Sequence, residues 1–114
     1  MVESNEFIRK DSGLKNQFKT AALSISDNIA EGFEYNNNPD FHRFLRISKG
    51  SCGEIRNKLH FARRLGFISE QLALNLINEA IVLGKQIGEL IRKVRLKIRS
   101  AKSNFKDSAI TRNP

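Results

Sequence analysis

The chain has 114 residues, 39% hydrophobic and 28% charged, which suits one soluble domain and is too short for two. No apolar run reaches the ~18 residues of a membrane span, no secretory signal is read at the N-terminus, and the single cysteine, Cys52, cannot close an internal disulfide, so a reducing cytoplasm is the expected compartment. The net charge of +8 is lopsided: residues 1–84 hold 11 Lys/Arg against 10 Asp/Glu, and residues 85–114 hold 9 against 2, which points either to a polyanionic partner or to a solvated helix end whose cations favour the C-terminal dipole.

Apolar residues recur at spacings of three and four, strand-like alternation is absent, and only Pro39 and Pro114 break helix, so the chain reads as all-α. A first helix is predicted over about 12–34, capped by Asp11 or Ser12, with Leu14, Phe18, Ala21, Ala22, Ile25, Ile29 and Phe33 on its apolar face. It stops in the run Tyr35-Asn36-Asn37-Asn38, whose side chains compete with helical hydrogen bonds. A second helix is predicted over about 39–65, with Asn38 as N-cap, Pro39 in the first turn and Asp40 against the positive dipole end. Its stripe is Phe41, Phe44, Leu45, Ser48, Cys52, Ile55, Leu59 and Ala62, and Gly66 supplies the stop. Ser69 caps a third helix over about 70–100, built on Ala73, Ile77, Ala80, Gly84, Ile87, Ile91, Val94 and Ile98. Residues 101–114 are expected to form a basic, flexible tail. Leu72, Leu76, Leu83 and Leu90 widen the third helix's apolar face beyond what one contact covers, so another helix or another subunit has to cover them. Short loops between long helices make the three antiparallel, up-down-up.

The C-terminal cations have a pattern. Arg92, Arg95, Arg99, Lys102 and Lys106 recur at three, four, three and four, which at about 100° per residue places them on one arc beside the core positions. Lys93 and Lys97 flank the core on its other side. A cationic row with few acids is how a phosphate-tracking surface is built. A second row, Arg46, Lys49, Arg56, His60 and Arg63, is read as a solvated face of the second helix. The phenylalanines fall on core stripes, so exposed platforms for stacking bases are not expected, and binding should be backbone-dominated and salt-sensitive.

Chemistry-bearing motifs are missing. Glu54 is followed at +3 by Asn57, and Glu31 by Glu34, where a di-metal bundle carries Glu-x-x-His, and His42 and His60 have no partner at ligand spacing. Neither a metal nor another cofactor is expected, nor any catalytic residue. Cys52 sits on a packing stripe and is read as an inert buried thiol. Ala30, Gly32, Gly50, Ser51 and Gly53 are small enough for two helices to approach closely. Asn28, Glu31, Ser51 and Glu54 are expected to meet across that contact with Arg43 or Arg46, a structural cluster that fixes register.

The stretches "AALSISDNIAEGF", "DFHRFLRISKGSCGEIRNKL" and "RRLGFISEQ" carry a resemblance. With the motifs N-I-A-E-G at Asn28–Gly32 and F-x-R-F-L-x-I-x-x-G-S-x-x-E at Phe41–Glu54, the sequence from Gly13 to Val94 resembles the bacterial four-helix-bundle family of the 23S rRNA intervening-sequence protein. The resemblance implies a non-enzymatic homo-oligomer, commonly a pentamer. A related basic branch, the accessory variability determinant of diversity-generating retroelements, works with a reverse transcriptase and binds nucleic acid. Two departures stand out. Ser26 occupies a position where the family usually has Pro, and the twelve residues before Gly13 are too few for the family's usual first helix, so the expectation is a short or missing first helix: a three-helix bundle, a start codon that lies upstream, or a neighbour that supplies the missing face. The expected function is therefore a self-assembling helical protein that binds nucleic acid, RNA foremost, through the basic third helix. The alternative is a protein-interaction scaffold or accessory subunit, for example of a reverse transcriptase complex, with no nucleic-acid contact of its own.

Overall fold

The computed structural model describes residues 12–112, with side chains described over residues 13–105. Three helices and no strand occur among the described residues: α1 (Ser12–Glu34), α2 (Asn38–Arg64) and α3 (Glu70–Arg112). α2 lies between the other two and packs on both, whereas α1 and α3 scarcely meet. The expected all-α class and the three helices are therefore observed, in an open array.

The α1–α2 turn is set by asparagines. Asn36 takes a left-handed φ of 57°, which a short polar side chain tolerates better than most. Asn37 is extended at φ −147°, ψ 149°, and its Oδ1 accepts from the Asp40 N–H at 2.8 Å. The N-cap is thus Asn37, where Asn38 was expected. Only an extended residue can aim its side chain at the first turn, and the left-handed step at Asn36 puts that residue one position earlier. At the other end of α2, Gly66 is left-handed at φ 75°, and the Phe67 N–H reaches back to the Ala62 carbonyl at 2.9 Å. Ser69 then caps α3, its Oγ accepting from the Leu72 N–H at 3.1 Å.

The core has two parts. Near the α2–α3 turn, Leu14, Leu59, Ala62, Ile68, Ala73 and Ile77 close together. Toward the α1–α2 turn, Ile25, Leu45, Cys52, Ile87, Ile91 and Val94 do the same. Gly32 lies at the tightest helix contact: a Cβ there would stand 2.7 Å from Phe44 Cβ. Gly50 and Gly53, expected in the same role, have nothing within 4 Å of a Cβ. The small side chain at the α1–α2 seam on that part of α2 is Ser51, with Ser48 beside it, both buried.

The helices differ in length. At about 1.5 Å per residue, 23-residue α1 spans about 34 Å, 27-residue α2 about 40 Å and 43-residue α3 about 64 Å. The molecule is accordingly elongated, 72 × 21 × 18 Å. Among the described side chains of α3, Val94 is the last buried one and Ile98 the last half-buried one; from Arg99 to Phe105 all are exposed. The stretch expected as a tail after Ser100 continues in helix to Arg112. α3 therefore overhangs the α1–α2 hairpin.

Candidate nucleic-acid interface

The cations run from the end of the hairpin onto the overhang. Arg92, Lys93, Arg95, Lys97, Arg99 and Lys102 are all exposed; the side chain of Lys106 lies outside the described residues. Glu89 is the sole acid between residues 80 and 106, and it pairs with Arg92 at 3.0 Å. Arg95, Arg99, Lys102, Lys93 and Lys97 form no ion pair among the described residues. An exposed i,i+3 pair is worth a few tenths of a kcal/mol, so Arg92 is only lightly held.

His42 ties α2 to this surface. Its Nε2 is shut off from solvent and has no hydrogen-bond partner. Desolvation first, then the positive charges of Arg95 on α3 and Arg46 on α2, hold its pKa below the usual 6.5. The native state therefore prefers neutral His42. As pH falls below 6.5 the unfolded chain takes up the proton first, so stability is full above 6.5 and declines from there to the folded pKa. Thermal melts between pH 7.5 and 5, as rough limits, should show a falling Tm that His42→Gln flattens; identical pH profiles for the two proteins would contradict this role.

The expected polar cluster resolves into separate groups. Asn28 Nδ2 donates to the Ser24 carbonyl at 2.7 Å and to Ser24 Oγ at 3.1 Å; Ser24 and Ser51 hydroxyls meet at 2.9 Å; Ser51 Oγ donates to the Ile47 carbonyl at 3.3 Å. With Asn28 donating in and Ser51 donating out, the Ser24 hydroxyl must be the donor to Ser51. The chain of bonds runs one way, from α1 into α2. Ser48 Oγ, fully buried, adds a bond to the Ile25 carbonyl at 2.8 Å. Glu31, Glu54 and Arg46 are exposed and take no part in it. Arg43 pairs with Asp40 at 3.3 Å and lies over the Phe44 ring at 4.4 Å. Long charged side chains at a helix seam reach water more cheaply than they reach each other, which leaves the short hydroxyls and amide inside. Ser24 and Ser48 were the residues missing from the expected cluster; their signal was a hydroxyl at i−4 from Asn28 and another at i−3 from Ser51.

Cys52 is buried, and burial, partly offset by Lys49 and Arg56, pushes its thiol up; a nucleophile needs the opposite. No group of three metal-ligating side chains occurs among the described residues, and no described helix is long and apolar enough to cross a membrane.

Because α1 and α3 splay apart, a groove runs between them with α2 as its floor. Its lower part, about 560 Å³, is apolar and lined by Phe18, Ala22, Ile55, Leu59, Leu76 and Leu83, with Lys15, Lys19 and Glu79 at the rim. Leu72 and Leu76 of the leucine row are half-buried against the core, whereas Leu83 and Leu90, with Val82, stay exposed, so half of the row is not covered by the described chain. Its upper part, about 550 Å³, lies by the α1–α2 turn and contains Phe33, Phe41, Lys93 and Lys97. Phe33 was expected in the core but is 69% exposed; α3 has diverged from α1 at that level, and the ring of Phe41 packs against it at 6.1 Å. Tyr35, stacked on Phe44 at 5.2 Å, is 50% exposed. Two aromatic rings thus face solvent at this end, where none was expected.

The profile of one family, described as 23S rRNA-intervening sequence protein, matches residues 2–89. The match begins before Gly13, where the resemblance began, and stops short of the cationic positions from Arg92 onward. No curated protein and no solved structure matches. With most of the chain covered, including both central motifs, the protein belongs to the 23S rRNA-intervening sequence protein family.

Proposed function

We propose that this chain is a non-enzymatic, self-assembling helical protein that binds nucleic acid, RNA foremost, through the cationic surface of α3. The observation that carries the reading is the cationic run along α3: five side chains, Lys93, Arg95 and Lys97 beside the end of the hairpin and Arg99 and Lys102 on the overhang, exposed with no acid paired to them among the described residues. A helix projecting clear of the hairpin can be approached from several sides, and its long cationic side chains reach phosphates without rearrangement of the core. The family's tie to rRNA intervening sequences makes structured RNA the first candidate.

Self-assembly is supported by the lower groove and by the exposed Val82, Leu83 and Leu90. A helix from another copy laid in that groove would complete a four-helix bundle and multiply the cationic surface, so that weak contacts become avid. The family resemblance suggests a pentamer, and the cytoplasm is the compartment that fits a lone buried thiol. The same leucine row favours a second reading, an accessory subunit that docks on another protein, a reverse transcriptase among the candidates, and leaves nucleic acid to it.

A labelled structured RNA titrated with the protein at ~50 mM salt separates the two readings. A saturable mobility shift by the protein alone is the expected result; no shift would overturn the RNA reading and leave the scaffold. Light scattering on the same samples should give a mass of several chains, and a monomer at all concentrations would refute assembly.

A further inference from the structure

We propose that the upper groove is a seat for an unpaired nucleobase of the bound RNA, which stacks on Phe33 while the adjoining phosphates rest on Lys93 and Lys97. The inference deepens the proposed function and rests on it. Phe33 exposes a large apolar ring in a recess, and a ring so exposed costs hydration unless a partner covers it. Phe41 fixes that ring edge-on at 81°, which leaves a face of Phe33 open to stacking. Lys93 and Lys97, one helical turn apart on the facing wall, have Cβ atoms about 6 Å from one another, comparable to the step between successive phosphates of an extended strand. Asn36 and Asn38 stand at the mouth; neither side chain has a hydrogen bond within the described chain, so both are available to the polar edge of a base.

The charge of the recess selects the ligand. No carboxylate lines it, and its only ionised groups are the two lysines. An apolar platform with two cations beside it fits an aromatic anion, and a single-stranded nucleotide is that. A duplex cannot enter, because its bases are already stacked and paired. The groove would therefore confer a preference for loops or bulges on a surface that otherwise reads only phosphate. Lys93 and Lys97 point to the α1 side of α3, away from the Arg95–Arg99–Lys102 arc, so one strand could be held in the groove while the arc holds a neighbouring helix of the same RNA.

The test uses the full chain and two probes: a single-stranded oligoribonucleotide carrying 2-aminopurine, and a blunt duplex of the same sequence. The wild type should bind the single strand more tightly than the duplex and quench the 2-aminopurine. Phe33→Ala should lose the quench and about tenfold of single-strand affinity while duplex affinity stays level; Phe33→Trp should restore both. Lys93→Ala with Lys97→Ala should weaken the single strand more than the duplex. If Phe33→Ala binds and quenches like the wild type, the seat is refuted and the RNA reading stands. If the wild type binds neither probe at low salt, the RNA reading fails and takes the seat with it. A fall in scattering mass for Phe33→Ala would assign Phe33 to a contact between copies and also refute the seat.

Discussion

Gly32→Val should lower stability by about 2–3 kcal/mol, whereas Gly50→Ala should raise it by up to about 1 kcal/mol. Both glycines sit in helix interiors, where a larger residue is ordinarily favoured. The difference is the neighbour. A Cβ at Gly32 would come within 2.7 Å of Phe44 Cβ and 3.2 Å of the Phe41 ring. Phe44 Cβ is tied to the backbone and cannot swing away, so α1 and α2 must separate and the seam above Ser48 opens. At Gly50 the added methyl meets open space and only the backbone-entropy gain remains. For a domain of this size each kcal/mol moves Tm by about 4–8 °C. Thermal melts should therefore place Gly32→Val well over 8 °C below the wild type and Gly50→Ala at or slightly above it, as rough figures. Equal effects at the two positions would contradict the packing described for α1 and α2.

Reversing Arg95, Arg99 and Lys102 to Glu together should weaken RNA binding by about 100-fold or more at ~50 mM salt. These three share one arc of α3, are exposed, and have no acid partner among the described residues. Arg92 is left out because Glu89 already holds it at 3.0 Å, and reversing it would set two carboxylates one turn apart. Circular dichroism should stay level, since none of the three side chains is buried in the core. The contrasting set, Arg46, Lys49 and Arg56 of α2 changed to Glu, removes the same charge from the other cationic row. It should cost far less, because that row lies wholly on the hairpin, whereas Arg99 and Lys102 stand on the overhang. Equal losses from the two sets would mean that only net charge matters and that the overhang has no special part.

The helices were legible because their apolar spacing, the Ser69 cap, Pro39 and Gly66 all agree on the same boundaries. Which of three adjacent asparagines caps α2 was not, since that depends on backbone angles that Asn36, Asn37 and Asn38 can each adopt. Periodicity also tells which side of a helix is apolar without telling where its neighbour ends. Phe33 continues the stripe of Ile25 and Ile29, yet α3 has moved off by that level, so the ring meets solvent. The same blindness misplaced the close helix approach. Gly50 and Gly53 look like Gly32 in sequence, but a Cβ at either has nothing within 4 Å. The polar seam was half legible. Asn28 and Ser51 both stand out in the sequence, but charged residues surround them there, and the serine that links them, Ser24, carries no charge to mark it. The spacing of Arg92, Arg95, Arg99 and Lys102 was legible, and all four side chains are exposed on α3.

The reading of the protein as an RNA binder rests on cations that neutralise phosphates, and such binding has a characteristic dependence on salt. Affinity for a structured RNA, measured from ~50 to ~200 mM monovalent salt, should fall on a straight log–log line with a slope of about −3 or steeper per chain engaged, flattening by about three when Arg95, Arg99 and Lys102 are reversed. A wild-type affinity that hardly changes over that range, or a slope the reversal leaves untouched, would show that the third helix does not hold RNA by its charge.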